Sequence, residues 1–223
     1  MSKISTFIGI FFASALFLTS CQQDVEVWDS ATLDYSGRYV IKLMNEDMTE
    51  LYHDYDGSEV MLYNTATNTA NEMWLEDMVH LIPLKSKFFF TGDVTSFKSK
   101  DVDFDKLPNN LLAIGLPGSA PTADGQTLEQ ERDYLRASVL EGKIIPKAVT
   151  TKGGNISDSI YVKIKLYSGS AVFTSKKKPE KEWQSPTTPE YLWVLSSVKH
   201  DATKDEVLVI GGYRYTGYQE DNY

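Results

Sequence analysis

The chain has one cysteine and three histidines in 223 residues. A single thiol cannot form an internal disulfide. His53, His80 and His200 are scattered, and no His-Glu-x-x-His pair of ligands on one helix face occurs. The sequence therefore predicts no metal and no cofactor. A serine hydrolase of the α/β kind would carry Gly-x-Ser-x-Gly at a strand-to-helix turn, and that pentapeptide is missing. Asp101-x-Asp103-x-Asp105 opens like a calcium loop, but Lys106 stands where the sharp turn needs glycine and Leu112 where a bidentate glutamate belongs. Positive charge is also scarce. A net charge of −9 gives no electrostatic footprint for a phosphate backbone, so nucleic acid is not a predicted partner. The one long apolar run, Phe7 to Leu18, is about a dozen residues, too short to span a bilayer as a helix and of signal-peptide length.

That run follows Lys3 and stops at Leu18-Thr19-Ser20-Cys21, the only cysteine. The tetrad resembles the lipobox of bacterial lipoproteins, which implies cleavage after residue 20 and a diacylglycerol thioether on Cys21. Residues 1–20 are then a lipoprotein signal peptide, and 21–33, with Asp24, Glu26 and Asp29, a lipidated tether. The predicted membrane partner is reached through that anchor, two acyl signals being needed for stable attachment. Gln22 in place of Asp at the next position favours the bacterial outer membrane. The side of that membrane is left open.

From residue 34 to 223 the pattern is short period-two runs between turn residues, the mark of antiparallel β structure. Ile160, Val162, Ile164 and Leu166 fall on one face of a strand, with Lys163 and Lys165 on the other. Similar runs lie at 37–43, 59–64, 70–75, 87–91, 143–149, 191–198 and 206–215, eight in all. Turn chemistry sits at Asp56-Gly57, Gly153-Gly154-Asn155 and Lys176-Lys177-Lys178-Pro179. Eight sequential strands without long helices predict an all-β fold, an up-and-down antiparallel barrel whose closure removes exposed edges. Residues 101–140 interrupt the rhythm as an irregular insertion, within which 128–140 reads as a short helix or a further strand.

Three blocks, Gly142-Lys143-Ile144-Ile145, Asp158-Ser159-Ile160-Tyr161 and the closing Gly211-Gly212-Tyr213-Arg214-Tyr215-Thr216-Gly217-Tyr218, resemble the lipocalin-like (calycin-like) lipoproteins of Bacteroidetes labelled "lipid-binding putative hydrolase". Tyr63-Asn64-Thr65-Ala66 and Glu72-Met73-Trp74 are similar too. The resemblance implies a lipocalin-like barrel over 34–223 that binds a small hydrophobic or amphipathic ligand. Lipocalins open with Gly-x-Trp; here Gly37-Arg38-Tyr39 takes that place, and Arg214 on the last strand is expected to lie over the Tyr39 ring and close the barrel floor.

The chain has 27 Phe, Trp and Tyr residues, and an eight-stranded barrel holds either packed side chains or one small ligand. Both outcomes are open from sequence. Tyr39, Trp74, Tyr161, Trp193 and Arg214 are the candidate ligand-binding residues. A non-enzymatic lipoprotein presenting a protein- or glycan-binding surface, for instance around Trp183, is the alternative. Hydrolysis rests on the family label, with no catalytic residue recognisable.

Overall fold

Period-two burial along the chain becomes ten antiparallel strands in a computed structural model that describes residues 29–104 and 114–222. The signal peptide 1–20, Cys21, the tether to residue 28, and Asp105, Lys106 and Leu112 lie outside the described residues. The strands are β1 (Gly37–Asn45), β2 (Leu51–His53), β3 (Glu59–Asn64), β4 (Glu72–Asp77), β5 (Lys85–Thr91), β6 (Asp93–Lys98), β7 (Thr127–Thr150), β8 (Ile156–Lys177), β9 (Tyr191–His200) and β10 (Glu206–Arg214). All eight predicted runs contain strand. Residues 128–140 also belong to a strand, so the irregular insertion expected over 101–140 ends before Thr127. Its charged side chains Glu129, Glu131 and Asp133 all fall on the exposed face, which is strand alternation.

Pairing runs β10-β1-β3-β4-β5-β6-β7-β8, and β8 pairs back to β10, so eight strands form a closed ring. β2 is a short addition to β1. We call the end where β1 begins at Gly37 the lower end. β7 and β8 are far longer than the ring needs. Up to Leu166, β8 pairs with β10; from Gly169 it pairs with β9 instead. The first part of β7, the second part of β8 and β9 thus make a three-stranded extension above the ring. The change of partner coincides with a close backbone approach: a Cβ on Gly169 would lie 2.0 Å from the Lys199 carbonyl oxygen.

The ring interior is filled. Tyr39, Ile41, Leu62, Met73, Leu75, Phe88, Phe97, Ile144, Val162, Ile164 and Ile210 are each at most 2 % exposed and belong to one cluster. Aromatics occupy its centre, with the Phe88 and Phe97 ring centroids 4.2 Å apart and Phe90 edge-on to Phe88 at 5.7 Å. Gly142 opposes Phe97 in the β6–β7 register, and the space its missing side chain leaves is taken by that ring. Gly212 does the same for backbone, since a Cβ there would approach the Val40 carbonyl oxygen to 2.1 Å. The strands beside it close because it is glycine.

Gly142→Ala would place a methyl 2.0 Å from the Phe97 ring, and overpacking of this kind costs about 1–3 kcal/mol. The expected result is a lower urea midpoint with an unchanged slope, partly restored in the Gly142→Ala/Phe97→Leu double variant because the two sites share one space. Additive losses in the double variant would contradict the packing.

Candidate functional site

The five residues predicted to bind ligand do not converge. Tyr39 points into the filled interior, where its hydroxyl donates to the Tyr35 carbonyl oxygen at 3.0 Å and burial pushes that hydroxyl's pKa well above the ordinary tyrosine value. Trp74 stands on the outer face of β4, opposite in alternation to buried Met73 and Leu75, with the Lys87 ammonium 5.5 Å from its ring. Tyr161 is on the outer face of β8, between Lys143 and Gly211 of the neighbouring strands. Trp193 lies in the extension, where its indole N–H donates to the Ser119 carbonyl oxygen at 2.7 Å and holds the preceding loop against β9.

Arg214 opposes Tyr39 across the β1–β10 ladder. Its guanidinium donates to the carbonyl oxygens of Asp34 at 2.8 Å and Ser36 at 2.6 Å, and lies 3.7 Å from the Asp158 carboxylate. The turn at 31–36 is thereby fastened under the lower end of the ring. Gly37 gives the guanidinium room, a Cβ there meeting Arg214 Nε at 3.2 Å.

One position along from that pair, on the outer face, the structure makes a groove of about 300 Å³. Val40 lies in it, and Tyr55 and Tyr215 line it with Arg38, Glu59, Asp221 and Asn222. The walls come from separate parts of the chain. Tyr55 arrives on the β2–β3 turn and meets the buried Tyr213 ring edge-on at 5.5 Å. Tyr215 continues β10, its N–H donating to the Arg38 carbonyl oxygen at 2.8 Å. The Arg38 guanidinium lies 4.6 Å from the Tyr215 ring centroid and grips Glu59 with two hydrogen bonds, Nε to Oε2 at 2.9 Å and Nη2 to Oε1.

The groove's far wall is a tail held by one carboxylate. Asp221 is almost fully buried and accepts from the Thr151 hydroxyl at 2.5 Å, the Gly153 N–H at 2.9 Å, the Asn155 amide at 3.2 Å and the Thr216 hydroxyl. Desolvation alone would raise its pKa, but these donors outweigh it and hold the carboxyl below its ordinary value. Arg38, Tyr55 and Tyr215 are not among the five candidate ligand-binding residues, although the Gly37-Arg38-Tyr39 and closing blocks contain two of them. The signal was present only as the outer-face neighbours of Gly37-x-Tyr39 and Arg214.

A second surface cleft, about 380 Å³, sits on the extension and includes Glu129, Glu131, Ser170, Lys199, His200 and Lys204. The Lys199–Glu129 and Lys204–Glu131 pairs cross it at 2.6 and 3.1 Å, so its charges satisfy one another. In its wall, His200 Nε2 lies 2.9 and 3.0 Å from the two Asp205 oxygens, and the ring stacks on Phe104 at 4.5 Å. Among the described residues no hydrogen bond joins a serine or threonine hydroxyl to a histidine ring, which a nucleophile and base would need, and no group of three or more His, Cys, Asp or Glu is placed to hold a metal.

A family model described as "Lipid-binding putative hydrolase" matches residues 24–219. No curated protein matches the chain at a significant level.

Asp205 joins ring to extension, accepting from Lys165 at 2.8 Å and the Ser168 N–H at 3.1 Å as well as facing His200. Burial pushes its pKa up, and these partners more than reverse that, leaving it below the ordinary value. A carboxyl lowered in the folded state contributes stability that is present above the unfolded value and lost as pH falls through the folded one. Urea midpoints are therefore expected to fall on acidification below about pH 4, and less steeply in Asp205→Asn. That variant should also lose about 1.5–3 kcal/mol at neutral pH, the range for hydrogen bonds to a charged group. A parallel acid limb in the variant would show that Asp205 carries none of it.

Proposed function

The chain belongs to the lipid-binding putative hydrolase family, and on that premise we propose that it is an outer-membrane-anchored bacterial lipoprotein that binds an amphipathic molecule on the outside of its ring. The observation that carries this reading is the groove at Val40, Tyr55 and Tyr215 with the Arg38–Glu59 pair at its side. Within a mainly polar lining, Val40 and the Tyr55 and Tyr215 rings offer a small apolar surface with room for a ring or a short hydrocarbon segment. The guanidinium and carboxylate next to it offer a donor set and an acceptor set to a polar head. The burial of Tyr39, Phe88 and Phe97 in one packed cluster supports the same placement.

The anchor is Cys21, following Leu18-Thr19-Ser20, and Gln22 beside it favours the outer membrane. We read the domain as a binding protein. His200 pairs its Nε2 with Asp205 and stacks on Phe104, and among the described residues no serine or threonine hydroxyl hydrogen-bonds to its ring.

Native mass spectrometry of the protein purified gently from its own envelope, compared with a denatured sample, tests the reading. The expected result is an adduct that disappears on denaturation. Tyr215→Ala and Arg38→Ala should each weaken its retention about tenfold, the effect of losing roughly 1.4 kcal/mol of contact, while Trp74→Ala leaves it unchanged. A bare polypeptide mass, or equal loss in all three variants, would remove the groove from consideration.

A further inference from the structure

We propose that the lower end of the ring is the membrane-facing surface and that Leu33, Ile156 and Tyr218 dip into the lipid interface there. This rests on the Cys21 anchor of the preceding reading. The described chain starts at that end. The Asp29 carbonyl oxygen accepts from the Asn68 side chain at 3.2 Å, and the Ala31 N–H donates to the same side chain at 3.0 Å, which ties residues 29–31 to the β3–β4 hairpin. Arg214 then fastens Leu33, Asp34 and Ser36 beneath β1 and β10.

Three large apolar side chains are exposed at this end, Leu33 at 57 %, Ile156 at 68 % and Tyr218 at 56 %. Their backbones are held in place by polar contacts to one another's neighbours. Ser157, next to Ile156, donates to the Arg214 carbonyl oxygen at 2.5 Å, and the tail carrying Tyr218 is pinned to 151–155 through Asp221. Rigid apolar tips on a polar frame fit an interface into which amphipathic side chains insert by about 5–10 Å. The net charge of −9 gives the chain no overall attraction to anionic headgroups, so the docking is assigned to apolar contact and the anchor.

Reach decides between the ends. Residues 21–28 span at most about 29 Å when fully extended, while the 22 residues of β8 run upward from this end for about 70 Å as a strand. Met78 and the other exposed apolar residues of the β4–β5 loop lie at the opposite end of the ring, and the extension lies beyond them. The groove at Arg38 and Tyr215 draws its walls from residues adjoining the lower end, so an amphiphile leaving it meets the bilayer first.

The experiment uses the full-length lipoprotein in phosphatidylethanolamine–phosphatidylglycerol vesicles carrying brominated phosphatidylcholine. Ile156→Cys and Met78→Cys are labelled in turn with an environment-sensitive nitrobenzoxadiazole probe, Cys21 being blocked by its own acyl thioether. The expected result is a blue-shifted probe at 156 that brominated lipid quenches and a probe at 78 that it leaves unchanged. Adding Leu33→Asp and Tyr218→Asp should abolish quenching at 156 with the protein still on the vesicles. One label per chain with equal quenching at both sites, or stronger quenching at 78, would overturn the orientation alone. Two labels per chain would show a free Cys21 and would overturn the anchor, and this orientation with it.

Discussion

Strand β10 closes the ring, and nearly everything else in the molecule follows from that closure. It pairs with β1 on one side, Tyr39 opposite Arg214 to Asn45 opposite Leu208, and with β8 on the other, Glu206 opposite Leu166 to Tyr213 opposite Ser159. A ring of eight strands leaves an interior about as wide as two facing layers of side chains. Phe88, Phe90 and Phe97 use that width fully, and Gly142 and Gly212 are the concessions that let rings and backbones approach. Close packing of this kind is worth more to stability than an empty lumen, since a void forfeits the contacts of every atom lining it. The proposed binding groove lies on the outside, where the strands present Val40 and Tyr213 beneath the β2–β3 turn and the C-terminal tail.

Closure also explains why β8 changes partners. β10 is nine residues long and β8 twenty-two, so the upper part of β8 would be an unpaired edge if β9 did not cover it. The change takes place within three residues, Leu166 to Gly169, and leaves backbone groups that neither ladder satisfies. Asp205 answers for one of them, receiving the Ser168 N–H, and the Asp201 N–H donates to the Ser168 carbonyl oxygen at 2.9 Å. The His200–Asp205 contact belongs to this junction. In isolation it looks like half of a catalytic triad; in context His200 is one of several donors around a carboxylate that joins the ring to the extension.

How much of this was legible in the sequence depended on whether a residue's partner is a side chain or a backbone. The run from Ile160 to Tyr167 announces its strand by alternation, and the same alternation in Met73-Trp74-Leu75 puts Trp74 on the face opposite two aliphatics, hence outside. Aromatic content by itself said nothing about the interior, because Tyr63, Trp74 and Tyr161 on the outer face count the same as Phe88 and Phe97 within. β6 is short and polar, Asp93 to Lys98, and gave no period to detect. The first part of β7 alternates acidic residues with Leu128, Gln130 and Arg132, so both faces look soluble until the loop before it is seen to pack on β9 through Trp193. Arg214 was found as a residue but not as a contact. Its acceptors are main-chain carbonyls at 34 and 36, and a carbonyl has no sequence signature.

The shallow groove fits the anchored lipoprotein of the proposed reading better than it would fit a freely diffusing carrier. A carrier must enclose its lipid, because hydrocarbon left in water costs about 25 cal/mol per Å², and a groove of about 300 Å³ open to one side cannot bury an acyl chain. A domain held within a tether's length of the bilayer faces a different balance. Its ligand's chains stay in the membrane while the groove meets the head and the first part of the tail. In the proposed reading a short tether also keeps the effective concentration of lipid at the groove high, so modest intrinsic affinity suffices. Tyr55, Tyr215 and the Arg38–Glu59 pair are suited to that division. They combine ring surface with a paired cation and anion, which selects for an interfacial head rather than for the length of a chain.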